Sequence, residues 1–262
     1  RDRHRAQPGA VARGCFSQRD RSRVDVSRRV WLAVRLVVTL QWRAKFPHVY
    51  FGVAVFAVIV FRGFLPDHLI ALFLPVFMFG EPGSLGIFMV AAQRYLEKGE
   101  RSVVALVVTP LRSGEYVSAL IVGSAVVPTV ATALIQAGVQ GVDGRVLLVI
   151  PPVWLIAVIS GAIGLMLSTV FRDFPRFILG AIPPIALYTL PVVSYFGLTP
   201  RWIFAWIPSD AALGAFGMLA RDELDILVYI GSVGLLGVFA AAAWWAAIAT
   251  YASRVRQQIE FA

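Results

Sequence analysis

The sequence predicts an all-α, polytopic membrane protein with about six transmembrane helices, and three observations carry that prediction. Apolar residues make up 58% of the 262 residues. Mean hydropathy is +0.76 and only 15% of residues are charged, against roughly a quarter in a soluble domain. The apolar excess falls in runs of about twenty residues or more, each long enough to cross a ~30 Å hydrocarbon core. One soluble core could not bury so many runs, so the bilayer is their solvent, and a helix satisfies every backbone group inside the span.

Residues 1–23 are polar and Arg-rich without apolar periodicity, and are expected to be a disordered basic tail. No apolar core of ~7–15 residues precedes Val24, so the tail does not read as a signal peptide. The membrane domain is expected over 24–256, with 257–262 as a short C-terminal tail. Within it, 24–45 forms an amphipathic helix: Val30, Val34, Val37 and Val38 share one face, while Arg28, Arg35 and Thr39 share the other. Trp31 and Trp42 suit an interface. The helix either packs on neighbouring protein or lies in the headgroup plane before the first span.

The expected spans are 46–65, 69–92, 115–140, 146–171, 177–195 and 225–251. The second is broken by Pro75 and by Gly80-Glu81-Pro82-Gly83. Short turns follow the first span (Pro66-Asp67-His68) and the fourth (Arg172-Asp173-Phe174-Pro175-Arg176), and a polar loop covers 93–114. Residues 197–224, with Trp202, Trp206, Gly214 and Gly217, read as a pair of short helices entering the membrane and returning. Gly231, Gly234 and Gly237 suggest a tightly packed face on the last span, expected to meet another helix of the same chain.

Cations set the orientation. With the N-terminus inside, twenty Lys and Arg lie on the cytoplasmic side and four outside, these being Arg62, Arg145, Arg201 and Arg221. That bias predicts cytoplasmic termini. The net charge of +9 therefore suits anionic headgroups rather than nucleic acid. Cys15 is the single cysteine, and His4, His48 and His68 are scattered, so neither a disulfide nor a metal site is expected. A phosphate-binding Gly-Lys-Ser/Thr loop and a Gly-x-Ser-x-Gly elbow are both missing from the sequence, so no nucleotide or cofactor is expected on this chain.

Two segments carry candidate function. Glu81 sits mid-span, where a charge costs at least about 2.5 kcal/mol unless it is paired, protonated or facing a cavity. It is a candidate for the substrate path or a gate, together with Trp202 and Trp206, or alternatively a neutral carboxyl at a kink. The 93–114 loop places mixed charges before an apolar stretch that Thr109-Pro110 terminates. Its pattern suits either an ordinary charged loop or a short helix lying across the cytoplasmic surface.

That segment resembles the signature of the type-2 ABC exporter permeases. Glu97 and Lys98 match the charged run, Leu106, Thr109, Pro110 and Leu111 the centre, and Glu115-Tyr116 the end. Arg101-Ser102 departs from the usual Gly-Thr pair, and Val104 stands at a position usually acidic. Six spans, a leading amphipathic helix and an inserted segment before the last span fit the same family, particularly its drug-export branch of fluoroquinolone and daunorubicin-type permeases. The resemblance implies that Glu97, Lys98, Glu100, Arg101, Thr109 and Pro110 couple to a separate ABC ATPase subunit holding ATP and Mg. It also implies a second permease chain, alike or homologous, and residence in a bacterial inner membrane. The cargo would be a hydrophobic or amphipathic small molecule, with lipid-linked glycan as the rival. A proton-coupled carrier acting through Glu81 is the reading from another class.

Overall fold

The computed structural model describes residues 28–99, 113–171 and 173–260, and side chains except those of 97–99 and 254–260. The basic tail 1–23 lies outside the described residues. Among those described there is no strand, and six helices are long and apolar enough to cross a membrane. The chain is a multi-pass membrane protein.

Helix α1 covers 28–43. Val34, Val37 and Gln41 are buried along one stripe while Trp31 and Trp42 are exposed, as the predicted amphipathic period requires. The stripe rests on the third span: a β-carbon at Gly123 would stand 2.7 Å from Val37 Cγ1. Lys45, at φ 61°, turns the chain into α2 (Phe46–Phe64). The second span is composite. It comprises α3 (Asp67–Gly80), a π-helical turn (Glu81–Leu85) and α4 (Gly86–Gly99). Pro82 has no N–H to give to the carbonyl four residues back, so the ladder reorganises there instead of continuing. The helix runs on through 93–99, which the sequence reading assigned to a loop.

The remaining spans are α5 (Ser113–Gln140), α6 (Arg145–Val170) and the pair α7 (Phe174–Thr189) and α8 (Pro191–Tyr195). A 3₁₀ turn (Arg201–Ile203) precedes α9 (Pro208–Arg221), and α10 (Ile226–Glu260) ends the described chain. The expected pair of short helices over 197–224 is therefore one turn plus one helix. α9 is mostly buried against α3, α6 and α10. Asp222, at φ 62°, terminates it while Glu223 N–H reaches back to the Met218 carbonyl.

α6 is the central helix. Its small residues admit close neighbours: a β-carbon at Gly164 would run into the Ile87 carbonyl of α4. The core joins Leu120, Ile121 and Ile135 of α5 to Val153, Ile156 and Leu165 of α6 and to Phe216 of α9. The glycine face of α10 departs from expectation. Among the described residues, nothing lies within 4 Å of a β-carbon built at Gly231, Gly234 or Gly237. The helix packs instead through Tyr229, Leu236, Ala240 and Ala247, because those larger side chains offer the contact area that bare glycines lack.

Candidate functional site

Polar side chains gather at three levels of an otherwise apolar bundle. The middle level centres on Glu81, which is 5% exposed and sits at the first residue of the π turn. Thr132 Oγ1 of α5 donates to its Oε2 at 3.3 Å, while Oε1 has no partner among the described residues. Tyr50 of α2 lies within electrostatic reach of the carboxyl, with its own hydroxyl unpartnered. Gln136 stands one turn from Thr132, fully buried, and its Nε2 donates to Gln140 Oε1 at 2.7 Å. Gln140 in turn donates to the Ala220 carbonyl of α9 at 2.9 Å. A polar file thus runs from Glu81 along α5 to the end of the bundle where α9 finishes.

The π turn is close-packed on its other side. A β-carbon at Gly83 would come within 3.1 Å of the Tyr188 ring, and one at Gly86 within 3.2 Å of Ser160 Cβ. Glycine eases the close approach at both places, and neither position has an unusual backbone angle. The buried Tyr188 and Ser160 hydroxyls lie within reach of each other, and with the Tyr50 hydroxyl and one Glu81 oxygen left over among the described residues, five helices converge on a region where polar capacity exceeds the hydrogen bonds made. Such a region is prepared for rearrangement or for a polar guest.

The second level lies at the end of the bundle holding α1. Arg94 is buried, and its Nη1 donates to Tyr116 Oη at 3.1 Å. Its guanidinium stands 5.7 Å from the Tyr116 ring centroid and 5.1 Å from that of Tyr251. Gln41 Nε2 donates to Gln93 Oε1 at 3.2 Å, and Tyr95 Oη donates to the Phe171 carbonyl at 2.8 Å. The last turns of α4 are thereby tied to α1, α5, α6 and α10. Glu97 and Lys98 stand on the final turn of α4. Glu100, Arg101, Thr109 and Pro110 lie outside the described residues. The tie joins the last turns of α4 to the first turn of α5. Sequence reasoning placed Arg94 in a loop and missed it. The signal was its helical spacing from Ile87, Val90 and Ala91, all buried.

The third level is the opposite end, where Arg62, Arg145, Arg201 and Arg221 collect. Arg62 Nε donates to the Val139 carbonyl at 3.2 Å. Arg145 pairs with Asp143 at 2.9 Å and with Asp222 at 3.3 Å. Arg201 pairs with Asp210 at 3.3 Å, and Arg221 lies 5.4 Å over the Tyr195 ring. Of these arginines, Arg201 and Arg221 line a cavity of about 370 Å³ whose walls also include Tyr195, Gly217 and Glu223. Trp202 and Trp206 are exposed beside it and do not line it. Trp206 Nε1 donates to the Ile203 carbonyl, which holds the ring at the surface in the manner of an interface residue. Glu81, Trp202 and Trp206 are therefore not brought together.

The profile of the fluoroquinolones export permease protein family matches residues 28–258. The chain is 30% identical over 198 residues to the fluoroquinolones export permease proteins of Mycobacterium tuberculosis strains CDC 1551 and H37Rv, covering 74% of this chain and 81% of each relative. No solved structure matches the chain at a significant level. The six spans, the broken second span and the extent of the match lead to one conclusion: the chain belongs to the fluoroquinolones export permease family.

Proposed function

We propose that this chain is the membrane-spanning permease subunit of an ATP-driven ABC exporter that moves amphipathic drug-like molecules out of the cell. The observation that carries the reading is the family match across all six spans, together with relatives whose names state fluoroquinolone export. ATP and Mg bind a separate ATPase subunit, and a second permease chain completes the pathway. The membrane is the bacterial plasma membrane with both termini in the cytoplasm. The twenty-to-four division of Lys and Arg supports that orientation. Arg62, Arg145, Arg201 and Arg221, the four on the minority side of that division, share one end of the bundle.

In this reading the segment from Glu97 to Pro110 docks on the ATPase. The Arg94 tie transmits its displacement to α5 and α10, because a buried cation held by two rings moves with its helices rather than apart from them. ATP drives the change only by binding one arrangement better than the other. A second reading, a proton-coupled carrier, is favoured by one feature: a carboxyl buried mid-span with one oxygen unpartnered.

A pull-down of the tagged chain from its native membrane, followed by an ATPase assay, tests the proposal. A copurifying nucleotide-binding subunit is expected, and Glu97→Ala combined with Arg101→Ala should weaken its retention. Recovery of the chain alone, with no ATP hydrolysis, would sink the exporter reading in favour of the carrier.

A further inference from the structure

The cavity at the end opposite α1 has a composition unlike the rest of the bundle. Two arginines and one glutamate stand on its walls. Arg201 is already engaged, 3.3 Å from Asp210. Arg221 leans on Tyr195, but among the described residues neither it nor Glu223 forms an ion pair, although one residue separates them in sequence. Asp222, between them, is drawn away to Arg145 at 3.3 Å. The αL conformation of Asp222 turns the chain at this point. The cavity thus holds one positive and one negative group that do not neutralise each other.

The two glycines of α9 let Tyr195 and Arg201 close in on the helix and form the cavity wall. A β-carbon at Gly217 would stand 3.1 Å from the Tyr195 ring, and one at Gly214 would collide with the Arg201 guanidinium. Both side chains lie where larger residues at these positions would stand. Tyr195 is further fixed by its hydroxyl, 3.5 Å from the Ala71 carbonyl of α3, and presents a ring face to Arg221. A cavity near 370 Å³ is at the lower end of the range that takes a drug-sized ligand.

We propose that this cavity is a binding subsite for a zwitterionic aromatic amphiphile. Arg221 receives its carboxylate, Glu223 its ammonium, and Tyr195 stacks against its ring. A guanidinium suits a carboxylate because two parallel N–H donors match its two oxygens. The role of the site as a way-station for cargo rests on the export reading above, but the binding itself does not.

The test uses the full-length chain in phosphatidylcholine nanodiscs, without ATPase or ATP. Three fluorescent or absorbing probes are titrated: norfloxacin (carboxylate and amine), its ethyl ester (amine only) and nalidixic acid (carboxylate only). Norfloxacin is expected to bind at least about tenfold more tightly than its ester. Arg221→Gln should remove that preference while leaving the ester unchanged, and Arg221→Lys should keep part of it. Glu223→Gln should weaken norfloxacin but not nalidixic acid, which guards against misfolding of the arginine variants. Equal binding of acid and ester, or an Arg221→Gln protein that retains the acid preference, would overturn the proposal. Displacement of norfloxacin by added phosphatidylglycerol, lost in Arg221→Gln, would assign the cavity to a lipid headgroup and overturn it too. Intact Arg221-dependent binding with no ATP-driven transport would leave the site standing and remove the exporter reading instead.

Discussion

The two ends of the bundle use arginine in opposite ways. At the end holding α1, Arg94 is buried, hydrogen-bonded to Tyr116 and enclosed by the rings of Tyr116 and Tyr251. At the other end Arg201 and Arg221 are exposed, and Arg221 leans on a single ring beside an open cavity. A buried cation is expensive to strand, so its partners are bound to it. An exposed cation costs little to redirect, so it is available to a ligand. One end is built to carry displacement between helices and the other to meet molecules.

Four substitutions test that contrast, from the largest expected effect to the smallest. Arg94→Leu removes a charged hydrogen bond and two desolvated ring contacts, and should cost about 3 kcal/mol. Thermal unfolding of the detergent-solubilised chain would read it, and an unchanged midpoint would mean that the tie holds nothing. Gly83→Val, at the joint between the ends, drives a side chain into Tyr188; a loss of about 2 kcal/mol follows from overpacking. A fully stable Gly83→Val protein would show the π turn to be loosely packed. Arg145→Gln breaks two partly exposed ion pairs and should cost less than about 1 kcal/mol, with the difference shrinking in high salt. Arg221→Gln should change stability least of the four, while its effect on acid binding remains large. If Arg221→Gln destabilised the fold as much as Arg94→Leu, the two ends would not differ in kind.

Much of the fold was legible because hydropathy and length dominate in a bilayer. All six spans appear where the apolar runs are, and α1 buries the valine stripe that its period marks. Helix ends were less legible. The 93–99 stretch is polar enough to look like a loop, yet Gln93 and Arg94 are buried because Gln41, Tyr116 and Tyr251 meet them from distant parts of the chain. Composition cannot supply those partners. The kink at Glu81 is legible from Pro82 and its glycines, but nothing local to Glu81 marks Thr132, 51 residues on, as its partner. Thr129, Thr132, Gln136 and Gln140 fall on one face of α5, a polar row inside an apolar helix that the sequence displays. The glycine row of α10 misled, since spacing alone shows that a face can be approached, not that anything approaches it.

The most direct test of the whole account is uptake of norfloxacin into inverted membrane vesicles containing the chain and its copurifying ATPase. ATP-dependent accumulation, abolished by vanadate, reduced several-fold by Arg94→Leu and retained in Glu81→Gln, is the predicted result. Accumulation that ignores ATP, follows an imposed proton gradient and disappears in Glu81→Gln would contradict it and make this chain a proton-coupled carrier.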